Sequence, residues 1–451
     1  MDFQDKKVLI IGLARSGIAA AKVLASLGAE VTIADRKSAK ELSQGLKTLE
    51  GWPVKIHTGG YPVISNSKFD LVVTSPGVPM RAEPLVQAVE ANLPVWSEIE
   101  LAGSLAKGRI VAITGTNGKT TTTTLIGQMF TDAGLPVVVG GNIGVPLIQE
   151  VLGTTPDHSI VVEVSSFQLE WVHAFHPKVA IITNITPDHL DRHGTMENYI
   201  NVKARIFANQ SEEDFTVLNY DDPILRKLAE KCPGKVIFFS HQVTLDEGVF
   251  VKDGWIVARF KNREQQICQV SDLKIPGLHN LENAMAAVGA GFASGLTEEQ
   301  MKNTLTTFPG VEHRLEKVRE LNGVLFVNDS KATNPEAAMK ALEAFDQPLI
   351  LIAGGSSKGS DFTELAKMIK EKVKHLVVLG ETADDILRAV EQTGFEAVHR
   401  VSTFPEAVQK AYELASPGEI VLLSPACASY DMFRSYEHRG KTFKELVAEL
   451  A

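Results

Sequence analysis

The sequence predicts an α/β protein of three domains, each built on a mainly parallel sheet. Apolar runs of strand length alternate with helical patterns from end to end, as helix-covered parallel sheets require. One of these runs, Ile110-Val111-Ala112-Ile113-Thr114, ends in a glycine-rich turn, and Lys119-Thr120 then opens a helix. At 451 residues the chain is long enough for two to four separate cores.

The first block opens with the strand Val8-Leu9-Ile10-Ile11. The turn Gly12-Leu13-Ala14-Arg15-Ser16-Gly17 follows, then a helix to about Leu27. The strand Val31-Thr32-Ile33-Ala34 ends at Asp35, and Leu71-Val72-Val73-Thr74 ends in Ser75-Pro76-Gly77-Val78-Pro79. This reads as a Rossmann-type unit with an acidic residue about twenty positions after the glycines. Ala14 occupies the second glycine position, and the same architecture binds other nucleotides, so a dinucleotide is not singled out. The expected domains are residues 1–97, 98–309 and 310–451, the last boundary falling at the turn Pro309-Gly310. The central block has strands at Ile160–Val164 and Val179–Asn184. The third has strands at Val324–Val327, Leu349–Ile352, Leu376–Leu379 and Ile420–Leu423, most of which end in polar loops. Ligands of open α/β sheets bind outside the carboxyl ends of strands.

The turn Gly115-Thr116-Asn117-Gly118-Lys119-Thr120-Thr121 has the chemistry of a phosphate loop. Glycines let backbone N–H groups approach phosphate oxygens, and the helix N-terminus favours anions. Lys119 can bridge the β- and γ-phosphates, and the Thr120 hydroxyl can ligate Mg²⁺. The standard spacing would place a glycine where Ile113 stands.

The bulk numbers narrow the class. A formal charge of −10 argues against nucleic-acid binding. The three cysteines, Cys232, Cys268 and Cys427, form no CxxC pair. They support neither a zinc ribbon nor a disulfide framework, and a reducing compartment is expected. The segment Met1–Lys7 carries no apolar stretch of signal-peptide type, and no run approaches the length of a membrane span. A cytoplasmic protein without membrane insertion is therefore expected.

Several other residues could carry chemistry. Glu163 lies in an apolar strand, where a carboxylate is costly unless paired or metal-bound. It is read as an Mg²⁺ ligand ahead of a loop-bonded carboxylate. Asp188-His189-Leu190-Asp191-Arg192-His193 could bind metal or phosphate, with His193 read as a hydrogen-bonded surface residue. Lys203 falls on a helix, where spacing alone makes it solvated surface. Asn280 can cap the helix that opens near it, and Asn283 is equally a cap-region residue or an adenine reader. Cys427, among small residues, is read as packing.

Taken together and in order, six segments resemble the Mur ligases, the ATP-dependent amide-forming enzymes of peptidoglycan assembly. They are Gly115 to Thr120, Glu163-Val164-Ser165-Ser166-Phe167-Gln168-Leu169, Asp188-His189, Tyr199 to Lys203, Pro276-Gly277-Leu278-His279-Asn280 and Glu312-His313-Arg314. Ser75 to Pro79, Asp329-Ser330-Lys331-Ala332-Thr333-Asn334 and Ser424-Pro425-Ala426-Cys427-Ala428-Ser429 resemble the D-glutamate-adding branch.

The resemblance implies a division of labour. Arg15, Ser16, Asp35, Arg36, Ser75 and Gly77 of the first domain would hold the UDP part of UDP-N-acetylmuramoyl-L-alanine, with Asn142 on the muramoyl part. The central domain would bind ATP through Gly115 to Thr121, and Asn283, Arg314 and Asp329 would contact the nucleotide. Two Mg²⁺ ions are implied, with Thr120, Glu163, His189 and a carbamylated Lys203 as ligands. Lys331, Thr333, Lys358, Ser429, Tyr430 and Tyr436 would form the D-glutamate pocket in a third domain that closes on ATP. A monomer is expected. The rival expectations are a folylpolyglutamate synthase-like ligase, a nucleotide-sugar-binding protein with a degenerate ATP site, and a nicotinamide-dependent oxidoreductase.

Overall fold

The computed structural model describes residues 2–450 except Gly144, Asn262, Pro276 and Lys358. Backbone contacts gather the chain into two compact units: Met1–Asp272 with Glu282–Thr306, and Leu273–Leu281 with Thr307–Ala451. Three sheets carry the α/β fold that the sequence predicts.

The first sheet is fully parallel, ordered Val54–Thr58, Glu30–Asp35, Lys7–Ile11, Leu71–Thr74, Val95–Ser97. Its order reverses at Lys7–Ile11, and there the helix Arg15–Ser26 begins. That helix buries Ala19, Ala20, Ala21, Val23 and Leu24, so small side chains let it lie close on the sheet.

The second sheet runs Arg263–Gln269, Trp255–Phe260, Gly248–Lys252, Lys235–Ser240, Phe215–Asn219, Val179–Ile182, Arg109–Thr114, Ser159–Glu163, Val137–Gly141. From Val137–Gly141 to Gly248–Lys252 all pairings are parallel. The pairings of Trp255–Phe260 with Gly248–Lys252 and with Arg263–Gln269 are antiparallel, and the Asp253-Gly254 turn between Gly248–Lys252 and Trp255–Phe260 has φ of +50° and +77°. That two-residue turn matches the twist of the flanking strands. The first two sheets share one core, in which Val8, Ile10 and Ile33 join Ile110, Ala112 and Val162.

The second unit holds the third sheet, ordered Glu316–Leu321, Val324–Asn328, Ile420–Leu423, Leu349–Ala353, Val373–Val378, Val398–Arg400. Only Glu316–Leu321 is antiparallel to its neighbour. The strand Leu349–Ala353 is buried along its whole length, as helices on both faces require.

Glu98, at the start of the helix Glu98–Leu105, ties the first two sheets together. Its Oε1 accepts the Ile148 N–H at 2.8 Å, while Oε2 is buried without a hydrogen bond from the described residues. Burial pushes its carboxyl up to about 7, against the pull of Arg15. A raised carboxyl favours folding below the ordinary carboxylate range, and that contribution is lost as pH rises through about 7. Glu98→Gln keeps the Oε1 acceptor and removes the charge. Its thermal midpoint relative to wild type is expected to rise between pH 5 and pH 8, by the equivalent of roughly 2–3 kcal/mol. Melting curves at both pH values check this, and an equal offset at the two would refute it.

Candidate active site

The strand Arg109–Thr114 ends at the phosphate loop, and the helix Lys119–Asp132 begins at its lysine. Gly115 has φ +145°, and a Cβ there would lie 2.0 Å from Thr183 Oγ1. Gly118 has φ +83°, and its Cβ would lie 2.3 Å from Asn283 Oδ1. Only glycine suits either position. The neighbouring strand end fixes the loop: the Asn117 N–H donates to Asn184 Oδ1 at 2.9 Å, and Thr183 Oγ1 donates to the Asn117 carbonyl at 2.6 Å. The sequence reading did not select Thr183 or Asn184. The signal was available, because both stand at the carboxyl end of the strand beside the phosphate loop.

Lys119 folds back over its own loop, its Nζ donating to the carbonyls of Gly115 at 3.0 Å and Thr116 at 2.7 Å. Thr120 Oγ1 donates to Glu163 Oε2 at 2.7 Å, and Asn142 Nδ2 donates to Oε1 of the same carboxylate at 2.8 Å. Glu163 is the last residue of its strand and is buried. Asn142 thus meets the phosphate-loop group rather than the cleft residues of the first sheet. Thr121 is buried in the following helix.

Lys203 corrects the surface reading. It is 1 % exposed, and its Nζ donates to the Gly115 carbonyl at 2.7 Å. Burial and the nearby Lys119 hold its ammonium well below the ordinary lysine range, although Asp188 and Glu163 oppose the shift. The Tyr199 ring lies 4.7 Å from its Nζ. Tyr199 OH is 3.2 Å from Thr116 Oγ1, so this helix packs against the phosphate loop. Helical spacing could not show that its last turn points inward.

His189 has φ +52° and precedes the helix Leu190–His193, its ring edge-on to Phe167 at 4.8 Å between centroids. His193 is likewise no surface residue. It is 7 % exposed, its Nε2 lies 3.1 Å from Ser166 Oγ, and burial with the neighbouring Arg192 lowers its pKa to about 4. Asn280 is not a cap, since the helix Leu278–Ala293 already includes it. Asn283, on the same helix, accepts from Thr122 Oγ1 at 3.2 Å.

A cavity of about 1350 Å³ at the carboxyl end of the first sheet is lined by Arg15, Ser16, Asp35, Arg36, Ser75 and Gly77 together. Asp35 shapes its floor by accepting the Leu13 and Lys37 N–H groups at 2.8 and 3.0 Å. Ser75 Oγ donates to the Gly12 carbonyl at 3.1 Å.

In the second unit, Asp329 is fully buried. It accepts from Ser424 Oγ at 2.8 Å and lies 3.5 Å from Arg314 Nη1. Burial pushes its carboxyl up to about 6 against the pull of Arg314. Lys331 Nζ donates to Tyr436 OH at 3.0 Å. Thr333 lies in the turn before the helix Pro335–Glu343, Ser429 is buried and Tyr430 is 75 % exposed. Cys427 is buried with its Sγ 3.1 Å from Thr382 Oγ1, in keeping with a packing role. Lys358 lies outside the described residues.

Residues 6–97 match the Mur ligase MurD-like N-terminal domain, 113–291 the Mur ligase middle domain, and 313–427 the Mur ligase glutamate ligase domain. The chain is 53% identical over 449 residues to UDP-N-acetylmuramoylalanine--D-glutamate ligase of Pelotomaculum thermopropionicum, covering 100% of this chain and 99% of that protein. It is 46% identical to the ligase of the same name from Clostridioides difficile, covering 100% of both. Among solved structures, it resembles a pseudomurein peptide ligase type C from Methanothermus fervidus, with TM-score 0.62, 19% identity and coverage of 99% and 100%. It also resembles UDP-N-acetylmuramate-alanine ligase from Thermotoga maritima, with TM-score 0.61, 20% identity and coverage of 98% and 99%. The structural likenesses speak for the fold, and the sequence identities go further: this chain belongs to the Mur ligase family.

Proposed function

We propose that this protein joins D-glutamate to UDP-N-acetylmuramoyl-L-alanine through an amide bond, driven by ATP. The observation that supports it most is whole-length identity of 46 to 53% to ligases bearing that name, joined to a phosphate loop whose Thr120 meets Glu163 and whose Lys119 folds over the loop. The folylpolyglutamate reading is not favoured, because relatives 48 and 53% identical over the whole chain carry the D-glutamate name.

A carboxylate is a poor electrophile, so ATP must first convert the L-alanyl carboxylate to an acyl phosphate. The cavity bearing Arg15, Ser16, Asp35, Arg36, Ser75 and Gly77 would hold the uridylyl part. Gly115 to Thr121 would cradle the triphosphate, and Asn283, Arg314 and Asp329 would contact the nucleotide. Lys119 would exchange its loop carbonyls for phosphate oxygens, a charge-assisted and stronger bond.

The donor set near the loop fits magnesium: Thr120 Oγ1 and the Glu163 carboxylate are hard oxygen donors 2.7 Å apart. The buried Lys203, its ammonium held below the ordinary lysine range by burial and by Lys119, is the amine proposed to carry the carbamate. Thr120 and Glu163 would hold one ion and His189 with carbamylated Lys203 a second, and the ions would offset repulsion between carboxylate and γ-phosphate. The amine of D-glutamate then attacks the acyl carbon, phosphate leaves, and His189 or a phosphate oxygen takes the proton. Lys331, Lys358, Thr333, Ser429, Tyr430 and Tyr436 are the partners proposed for D-glutamate. The protein would act as a cytoplasmic monomer, its third domain closing on ATP. No helix among the described residues is long and apolar enough to cross a membrane.

The deciding experiment is phosphate release from ATP with Mg²⁺ and UDP-N-acetylmuramoyl-L-alanine, comparing D-glutamate, L-glutamate, L-lysine and no amino acid. Release only with D-glutamate is expected. Release with another amino acid would overturn the pocket assignment, and release with none would overturn the ligase reading. In the same assay Lys119→Ala is expected to lose about 100-fold or more in turnover, and near-normal activity would refute its phosphate role. Lys203→Ala is expected to lose most activity, unrescued by bicarbonate but partly restored by short carboxylic acids that replace the carbamate oxygens. Full activity of Lys203→Ala without additive would refute that role.

A further inference from the structure

Arg192 joins two parts of the first unit that the reaction must keep in register. Its guanidinium grips the buried Glu170 with both edges, Nε to Oε1 at 2.8 Å and Nη2 to Oε2 at 2.5 Å. The same Nη2 donates to the Val78 carbonyl at 2.9 Å. The guanidinium carbon lies 4.1 Å from the centroid of the Phe167 ring, and Phe167 meets His189 edge-on. One planar, fixed-charge group therefore ties the loop Ser75–Pro79 of the first sheet to the segment carrying His189. Lysine has neither the fork nor the plane to make these contacts together.

The two ends it joins open onto one route. The cavity on the first sheet and a second cavity of about 1300 Å³ share Gly77, Pro79 and Arg81 in their linings, and the second is also lined by Phe167, His189 and Arg192. A long substrate anchored by its nucleotide in the first cavity can reach the His189 end along that shared loop. Nucleotide binding then contributes to turnover only if the distance between anchor and reacting carboxylate is fixed.

We infer that Arg192 is a positioning residue. It sets the span between the uridylyl anchor and the reacting end by holding the Val78 carbonyl, Glu170 and Phe167 at once. This rests on the ligase reading above.

Two variants test it. Arg192→Lys keeps the charge opposite Glu170. Arg192→Ala with Glu170→Gln removes both charges, so that no unpaired carboxylate is left buried to unfold the protein. Both are expected to lose about 100-fold in kcat at saturating substrates, as misplacement of about 1 Å would cause. The KM for ATP is expected to stay within about twofold, because the phosphate loop is untouched. Amide exchange at residues 75–80 and 186–193 is expected to quicken in both, with exchange at 115–121 unchanged. A kcat within about threefold of wild type, a rise in the KM for ATP that matches the loss in kcat, or unchanged exchange at 75–80 would each overturn the proposal. Wild-type protein that releases no phosphate with D-glutamate would refute the ligase reading instead. Arg192 would then be judged by the exchange data, which need no turnover.

Discussion

The phosphate loop has no spare room, and much of the first unit is arranged around that fact. Two glycines carry backbone angles that other residues resist, and each faces a polar side chain from another element, Thr183 on one side and Asn283 on the other. A methyl group at either position would need those elements to move. The loop's shape is thus set from outside as well as by its own turn. Three segments far apart in sequence must be in place before the N–H groups can converge on an anion. This ties the loop to the central sheet, because Thr183 directly follows the strand Val179–Ile182, which pairs with the loop's own strand.

Charge placement follows from the same packing. Lys119 and Lys203 both donate to the Gly115 carbonyl, at 3.0 and 2.7 Å. Two ammonium groups on one oxygen repel each other, and burial beside Lys119 holds the Lys203 ammonium below its ordinary range. That lowering is therefore a property of its burial beside a second lysine, next to the Tyr199 ring and the Tyr199–Thr116 contact. Glu163 opposes that shift, with both oxygens engaged by Thr120 and Asn142.

Much of this was legible in the chain. Parallel strands read as apolar runs, so the three-sheet architecture and the strand–loop–helix of Gly115 to Thr121 could be placed from pattern alone. Glu163 was legible for the opposite reason, as a carboxylate where the pattern demanded an apolar residue. What stayed hidden was direction. Lys203 and His193 sit in polar helical segments whose spacing gives no sign of burial, and only tertiary packing turns them inward. Asn280 misled because an asparagine near a helix start resembles a cap wherever it falls within the first turn. The antiparallel edge was announced by Asp253-Gly254, a turn signal that gains meaning only when the flanking segments are already known to be strands.

Arg192 shows why such residues escape a reading by motif. It sits in a run of charged and histidine residues whose chemistry suggests a ligand, yet its partners are a buried glutamate, a backbone carbonyl and an aromatic face. None of these is visible from spacing, and the carbonyl is more than a hundred positions away in the sequence. A charge buried by pairing contributes little net stability, because desolvation offsets much of the attraction. Its value lies in geometry: a fork that satisfies two oxygens and a carbonyl at once admits one arrangement of the three segments that bear them. An apolar residue would fill the space without fixing that arrangement, which is a physical reason for a guanidinium between the loop Ser75–Pro79 and His189.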